Sequence, residues 1–445
     1  MIEATDFAIF QRGKDNAATV CVSGILENIE WGGKTLCRVV REEDQSVVVP
    51  WTPCKMNGQS YRVELMIPAG GLYRIEVTCW DGSNNISWNK RIRNIQHVGV
   101  GELYLITGQS NMSGYGRDAA YDPPQLEVHL FGNNGRWQIA AHPLNDSIDS
   151  IFPENYEPTT GTSPLLAFGR MMNRRLGVPI GLIQTSMGAS PMSQWHPEED
   201  GRLYRGMMRR IPMTGPVGGI VWYQGCSDTD SEDTAKTYLS RFTRMIELWR
   251  NELGDIPVVT AQLNRFIYNS EERNRNWGYV REAQRLAANM IPHVYVVSTT
   301  DLGTSDPIHN MSGSNVILGE RLANALLAGE YGQATALAPD VEQVVKINDK
   351  QVRLSFRHSM QNGIIVLNSD VLPIGIDAED NLGLNPAVKI EETSDQNCLI
   401  VTFTRTIEKN SRFHAYWTSN PPFNSLRGVN GIPMLSCYNV PICEE

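Results

Sequence analysis

No block of lysines or arginines interrupts this 445-residue chain, and its formal net charge is −10. That balance argues against nucleic acid as a partner, because phosphate backbones are met by clustered cations. No apolar run approaches the roughly 18–20 residues that a membrane-spanning helix needs, so no membrane partner is expected. There is no C-x-x-C pair and no histidine pair at metal-ligand spacing, so no metal and no cofactor are expected. The eight cysteines (Cys21, Cys37, Cys54, Cys79, Cys226, Cys398, Cys437 and Cys443) are scattered. They are expected to be reduced, mostly buried thiols. Residues 1–6 are acidic and open no apolar signal segment, from which a cytoplasmic location is expected. Internal repeats, low-complexity tracts and long linkers are absent too, and oligomeric state leaves no mark.

What is present reads as three segments, in keeping with a chain too long for one hydrophobic core. Residues 1–98 show period-two alternation at 60–67 and 71–78, with shorter strands at 36–40 and 46–49 and turn formers at 68–71 and 81–85. The pattern predicts an N-terminal β-sandwich domain. Residues 99–333 alternate apolar runs (103–106, 179–183, 219–222, 257–261, 294–297) with helical patterns. One helix runs from Pro164 to Leu176 and stops at Gly177. Another opens near Ser231 and presents Tyr238, Phe242, Met245 and Trp249 on one face. Two more fit 277–290 and 316–328. Five such units predict an α/β domain, a parallel five-stranded sheet in three α/β/α layers, with ligands at the carboxyl ends of its strands. Residues 334–445 return to β patterning, at 350–356 and 397–403, and predict a C-terminal β-sandwich domain.

Four segments fall at those carboxyl ends. The organising one is Glu102-Leu-Tyr-Leu-Ile-Thr-Gly-Gln-Ser-Asn-Met-Ser-Gly114. Gly108 lets the backbone turn, and Ser110 falls where a strand hands over to a helix, a position suited to a nucleophile whose attack creates an oxyanion. The second, 184–195, offers the Gly188 N–H. The third, 221–228, offers the Gln224 side-chain amide. The fourth contains Asp306 and His309, three residues apart, a base with its orienting carboxylate. Ser110 N–H, Gly188 N–H and Gln224 would then form an oxyanion hole. No G-x-S-x-G elbow is present, which argues against an α/β-hydrolase fold.

The blocks Gly108-Gln-Ser-Asn-Met112, Trp222-Tyr-Gln-Gly225 and Asp306-Pro-Ile-His309 resemble those of SGNH-type carbohydrate esterases, above all the sialate O-acetylesterase group with its acetylxylan and other polysaccharide esterase relatives. Phe10-Gln-Arg12 and Gly431-Ile-Pro-Met434 resemble segments near that group's two ends, so the likeness spans nearly the whole chain. It implies a flavodoxin-like central domain, Ser110 as nucleophile, His309 as base then acid, Asp306 as its partner, and the same three oxyanion donors. It also implies an acetylated sugar as the small substrate. Two positions depart from the family: Cys226 stands where Glu is usual, and Met187-Gly188-Ala189 where Gly-Gly-Thr is usual.

Other residues carry two readings. Cys226 is a second nucleophile or, more in keeping with a buried strand end, an inert thiol. The acids between Asp228 and Asp233 suggest calcium, or the first turn of a helix, which their spacing favours. Arg117 pairs with a sugar carboxylate or is a solvated surface residue. Trp195 stacks on a sugar or fills the core, and Gln109 is a possible substrate contact. His97, His129, His142, His293, His358 and His414 have no triad-like context and are expected to be structural. The expected reaction is hydrolysis of an O-acetyl ester on sialic acid, with acetylated xylan, mannan or pectin oligosaccharides as alternative substrates. A carbohydrate-binding protein with a silenced site is the alternative of another class.

Overall fold

The computed structural model describes residues 2–26, 34–80, 91–268, 270–357, 363–366, 372–423 and 425–444. The turn cluster expected at 81–85 and His358 lie outside the described residues. The spine of the fold is a strand of 18 residues, β1 (Arg91–Gly108). Its first half pairs antiparallel with Gly70–Trp80, and Ile9–Gln11 joins it in parallel. Its second half is the centre of a parallel sheet with β2 (Val128–Phe131), β3 (Ile180–Gln184), β4 (Gly219–Tyr223), β5 (Val258–Ala261) and β6 (Val294–Val297). The order is β2-β3-β1-β4-β5-β6, every neighbouring pair parallel. Trp137–Ile139 closes the β2 edge antiparallel.

The five strands expected from sequence are all there, and β2 is a sixth. It escapes notice because it is four residues long and carries a histidine. Its neighbours on both sides are apolar, and both ring nitrogens of His129 face backbone carbonyls, Phe7 O at 2.7 Å and Leu126 O at 2.8 Å. Burial of that imidazole pushes its pKa down to about 4. The boundary expected at 98/99 falls inside β1, and one hydrophobic core runs from Val20, Val39 and Ile75 through to Leu105, Ile183 and Val259. The strand that ends the N-terminal sheet therefore also begins the central one. Phe10-Gln-Arg12 is the pin between them: Gln11 Nε2 and Arg12 Nε donate to the Glu102 carboxylate at 2.6 and 2.7 Å, and Leu103 N–H donates to Gln11 Oε1 at 2.7 Å.

Four long helices cover the parallel sheet: α1 (Leu165–Leu176), α2 (Glu232–Leu253), α3 (Glu271–Met290) and α4 (Ser312–Tyr331). They pack in two pairs, α1 with α4 and α2 with α3. Tyr104 of β1 packs on Phe168 of α1, while Trp222 of β4, which pairs with Thr107 three positions further along β1, packs on Phe242 and Trp249 of α2, so the two pairs lie on opposite faces of the sheet. The apolar face of α2 is the expected one: Tyr238, Phe242, Met245 and Trp249 are buried, and Ser231 caps the helix by accepting the Thr234 N–H. No helix among the described residues is long and apolar enough to cross a membrane.

The C-terminal segment builds an eight-stranded sheet over a second core that includes Val352, Leu354, Ile376 and Phe413. Arg281 of α3 ties this sheet to the central one. Its side chain is fully buried and donates to four backbone carbonyls: Leu263 O at 2.7 Å, Asn264 O at 2.8 Å, Tyr416 O at 3.0 Å and Thr418 O at 2.7 Å. Two of these belong to the loop after β5 and two to the C-terminal segment. Each buried carbonyl left without a donor costs about 1–3 kcal/mol. Arg281→Met is therefore expected to lower the unfolding free energy by roughly 3–5 kcal/mol, read as a lower urea midpoint at unchanged slope.

Candidate active site

Gly108 ends β1 with φ 127°, and a Cβ at that position would come within 2.3 Å of Tyr223 O on β4. Only glycine allows so close a passage in that conformation. Ser110–Ser113 then form a single buried helical turn, closed by the Gly114 N–H, which donates to Ser110 O. Ser110 N–H is the first amide of that turn, a group with no acceptor within its own helix.

The segment between β6 and α4 brings the other two expected residues to it. Asp306 Oδ1 accepts the N–H groups of Ile308 at 2.9 Å and His309 at 2.8 Å, which curls the backbone into a tight turn. Asp306 Oδ2 lies 2.6 Å from His309 Nδ1, and His309 Nε2 lies 2.9 Å from Ser110 Oγ. With Nδ1 donating to the carboxylate, Nε2 is left to accept the Ser110 proton. Burial opposes the charge of Asp306, but the two amide hydrogen bonds and the imidazole outweigh it, and its pKa lies below the ordinary carboxylate value. Asn111 clasps the two segments together: its Nδ2 donates to Ile308 O at 3.2 Å, and its Oδ1 accepts the Asn310 N–H at 2.9 Å.

Two of the three expected oxyanion donors are committed elsewhere. The Gly188 N–H points at the Glu157 carboxylate, 3.1 Å from each oxygen, and a Cβ on residue 188 would come within 2.0 Å of Glu157 Oε1. The buried Gln224 amide donates to Ser190 O at 3.1 Å and to Asp228 Oδ2 at 2.5 Å, and Tyr238 O–H donates to its Oε1 at 3.1 Å. Those bonds use both of its hydrogens. Ser110 N–H is the member of the set that stands at the serine itself.

Two expected substrate contacts are internal. Gln109 is buried, and its Oε1 accepts the Gly225 N–H at 2.9 Å, which holds the third segment against the serine turn. Trp195 is fully buried, edge-on to Trp222 at 5.5 Å, with its ring N–H donating to Ser190 Oγ at 3.0 Å. A residue packed this tightly offers no face to a sugar, so its apolar bulk serves the core. Arg117, in contrast, is exposed, and its guanidinium lies 5.5 Å from the ring centroid of Tyr115. Its Nη2 donates to Thr159 O at 3.0 Å, and Tyr115 in turn stacks on the His309 imidazole, so the cation is held beside that stack.

Cys226 is buried, and burial pushes its thiol up to about 12, far from a thiolate nucleophile at neutral pH. The acidic stretch divides: Glu232 and Asp233 occupy the first turn of α2, while Asp228 is buried and joins the second and third segments. It accepts the Met192 N–H at 2.9 Å and the Gln224 amide, and pairs with Arg241 at 3.0 Å. Burial raises the Asp228 pKa, and these bonds pull against it. No group of three or more His, Cys, Asp or Glu able to hold a metal occurs among the described residues. Glu157, Tyr115 and Asp228 were not singled out from sequence for this site. Glu157 sits in an aperiodic loop far from any motif, and Tyr115 lies just past the end of the serine block.

A family model described as carbohydrate esterase, sialic acid-specific acetylesterase, matches residues 100–328. A probable carbohydrate esterase of Arabidopsis thaliana is 27% identical over 255 residues, which cover 51% of this chain and 90% of that protein. A carbohydrate acetylesterase from Xanthomonas citri has a crystal structure that matches with a TM-score of 0.67 at 21% identity, over 97% of each chain. That last likeness is one of fold.

Three measurements follow from the geometry. Because the Asp306 pKa lies below the usual carboxylate value, protonation of Asp306 is expected to add no step of its own to the pH profile of kcat/KM for an aryl acetate in the usual carboxylate range. Asp306→Asn is expected to lower kcat by about 10³–10⁴-fold at neutral pH. Cys226 is expected to resist a thiol reagent in the folded protein and to react once the chain is unfolded, with Cys226→Ser retaining turnover.

Proposed function

The chain belongs to the carbohydrate esterase family of sialic acid-specific acetylesterases and is thus a carboxylic ester hydrolase; from that premise we propose that it removes O-acetyl groups from sialic acids through a serine mechanism on an SGNH-type catalytic domain. The observation that carries the reading is the unbroken line from Asp306 through His309 to Ser110 Oγ, at 2.6 and 2.9 Å. Ser110 Oγ attacks the acetyl carbonyl carbon while its proton passes to His309 Nε2. Asp306 stabilises the resulting imidazolium. Collapse of the tetrahedral intermediate breaks the bond to the sugar oxygen, which leaves as an alcohol carrying the proton from Nε2. Water then attacks the acetyl-serine, gives its proton to His309, and acetate departs as Ser110 recovers its hydrogen. In the arrangement described, the developing oxyanion meets the Ser110 N–H, since Gly188 and Gln224 are engaged.

Sialic acid is the favoured substrate class because it carries a carboxylate, and Arg117 offers an exposed guanidinium beside the Tyr115–His309 stack. Neutral acetylated xylo-oligosaccharides lack that handle. Acetate release from 9-O-acetylated sialic acid and from acetylated xylo-oligosaccharides, by wild type and by Ser110→Ala, tests the reading. Ser110→Ala is expected to lose about 10⁴-fold or more in kcat. Arg117→Gln is expected to raise KM for the acidic sugar about tenfold while changing that for the neutral one less than twofold. Full activity in Ser110→Ala would overturn the serine mechanism, and a preference for the neutral oligosaccharide would move the substrate to the polysaccharide branch.

A further inference from the structure

We propose that Tyr115, anchored by Glu157, is a positioning residue that steadies the His309 imidazole and favours its protonated form during turnover. The inference rests on the reading of His309 as the base. Both imidazole nitrogens are spent, one on Asp306 and one on Ser110, so only the faces of the ring remain to be held. Tyr115 covers one face, with ring centroids 4.5 Å apart and planes inclined by 26°. Rotation of the imidazole out of line with Ser110 would have to break this stack.

The phenol is itself fixed. Its O–H donates to Glu157 Oε1 at 2.6 Å. Glu157 is buried, and its further contacts are neutral donors: the Gly188 N–H at 3.1 Å from each oxygen and the Asn145 side-chain amide at 2.7 Å from Oε2. Burial and the adjoining carboxylate hold the phenol above its ordinary pKa, so the hydroxyl remains a donor. A phenol that donates to an anion presents an electron-rich face, and such a face attracts a cation more than a neutral ring. The stack therefore strengthens when His309 takes the Ser110 proton, and an interaction that grows along the reaction path raises kcat.

Asp306, Glu157 and Arg117 are charged groups placed beside the imidazole or beside the ring that covers it. Asp306 sits on its own loop. Glu157 reaches it through the Tyr115 ring. Arg117 lies 5.5 Å from the centroid of that same ring and opposes Glu157 in part. With Asp306 and Arg117 untouched, removing the phenol or the Glu157 charge should make His309 a weaker base.

The experiment is the pH dependence of kcat and KM for an aryl acetate, which carries neither sugar nor carboxylate, in wild type, Tyr115→Leu, Tyr115→Phe, Glu157→Gln and Ser110→Ala. Tyr115→Leu is expected to lower kcat about three- to thirtyfold with KM within about twofold, and to move the acid limb to lower pH by about half a unit to one. Tyr115→Phe keeps the ring and the fold while it cuts the link to Glu157; its acid limb is expected to move the same way by less, with a smaller loss of kcat. Glu157→Gln keeps the size of the anchor without its charge and is expected to move the limb in that direction too. An acid limb unmoved in Tyr115→Phe and in every other folded variant, or losses confined to KM, would overturn the proposal while leaving the esterase reading intact. Undiminished activity in Ser110→Ala would instead strike the reading on which it rests.

Discussion

Asn111 and the backbone of the His309 loop hold the site together. Oδ1 accepts the Asn310 N–H and Nδ2 donates to Ile308 O, so one amide spans the serine turn and the base-bearing loop. A buried amide satisfied at both ends tolerates little slip, because breaking either bond leaves a polar group unpaired. The same register continues outward. Asn310 Nδ2 donates to Asn315 Oδ1 at 3.0 Å on α4, and Asn315 Nδ2 donates to Thr162 O at 2.7 Å ahead of α1. The distances among Asp306, His309 and Ser110 are thus inherited from a chain of amides that crosses from the centre of the sheet to one helix layer.

Around that clasp the site is saturated with hydrogen bonds. Gln109, Gly188 and Gln224 are at the strand ends where their motifs put them, yet each is occupied by a neighbour rather than turned to open space. The place usually taken by Glu in this family is Cys226, an apolar, protonated thiol. A carboxylate still reaches this layer, from Asp228 two residues further on, and it holds the Met192 amide, the Gln224 side chain and Arg241 together. Glu157 does the matching task on the other side of Ser110, tying the Gly188 loop to Tyr115. Two buried carboxylates, each from a position without a motif, set how the motif residues face.

What the sequence made legible divides along physical lines. The parallel strands, the apolar face of α2 and the pairing of Asp306 with His309 are local matters of period and spacing, and all could be read directly. Strand β2 could not, because its hydrophobicity is broken by a histidine that is buried only in the folded chain. Nor could the continuity of the N-terminal and central sheets, since alternation says where a strand lies and not that one strand serves two sheets. Trp195 is open to two readings, and Gln109 reads as a substrate contact, because burial is a property of the whole packing. The commitment of Gly188 turns on Glu157, 31 residues away in an aperiodic loop. No short-range rule connects such a pair.

The distance along the chain between Ser110 and His309, 199 residues, has a meaning for the life of the molecule. Closing so long a loop is entropically slow, and the contacts that reward it are non-local. On the ribosome Ser110 emerges, and β1 to β5 can begin to assemble, while His309 is still unmade. The contact between Ser110 Oγ and His309 Nε2 therefore forms only late in synthesis, coincident with the closing of the central sheet rather than with any early folding step.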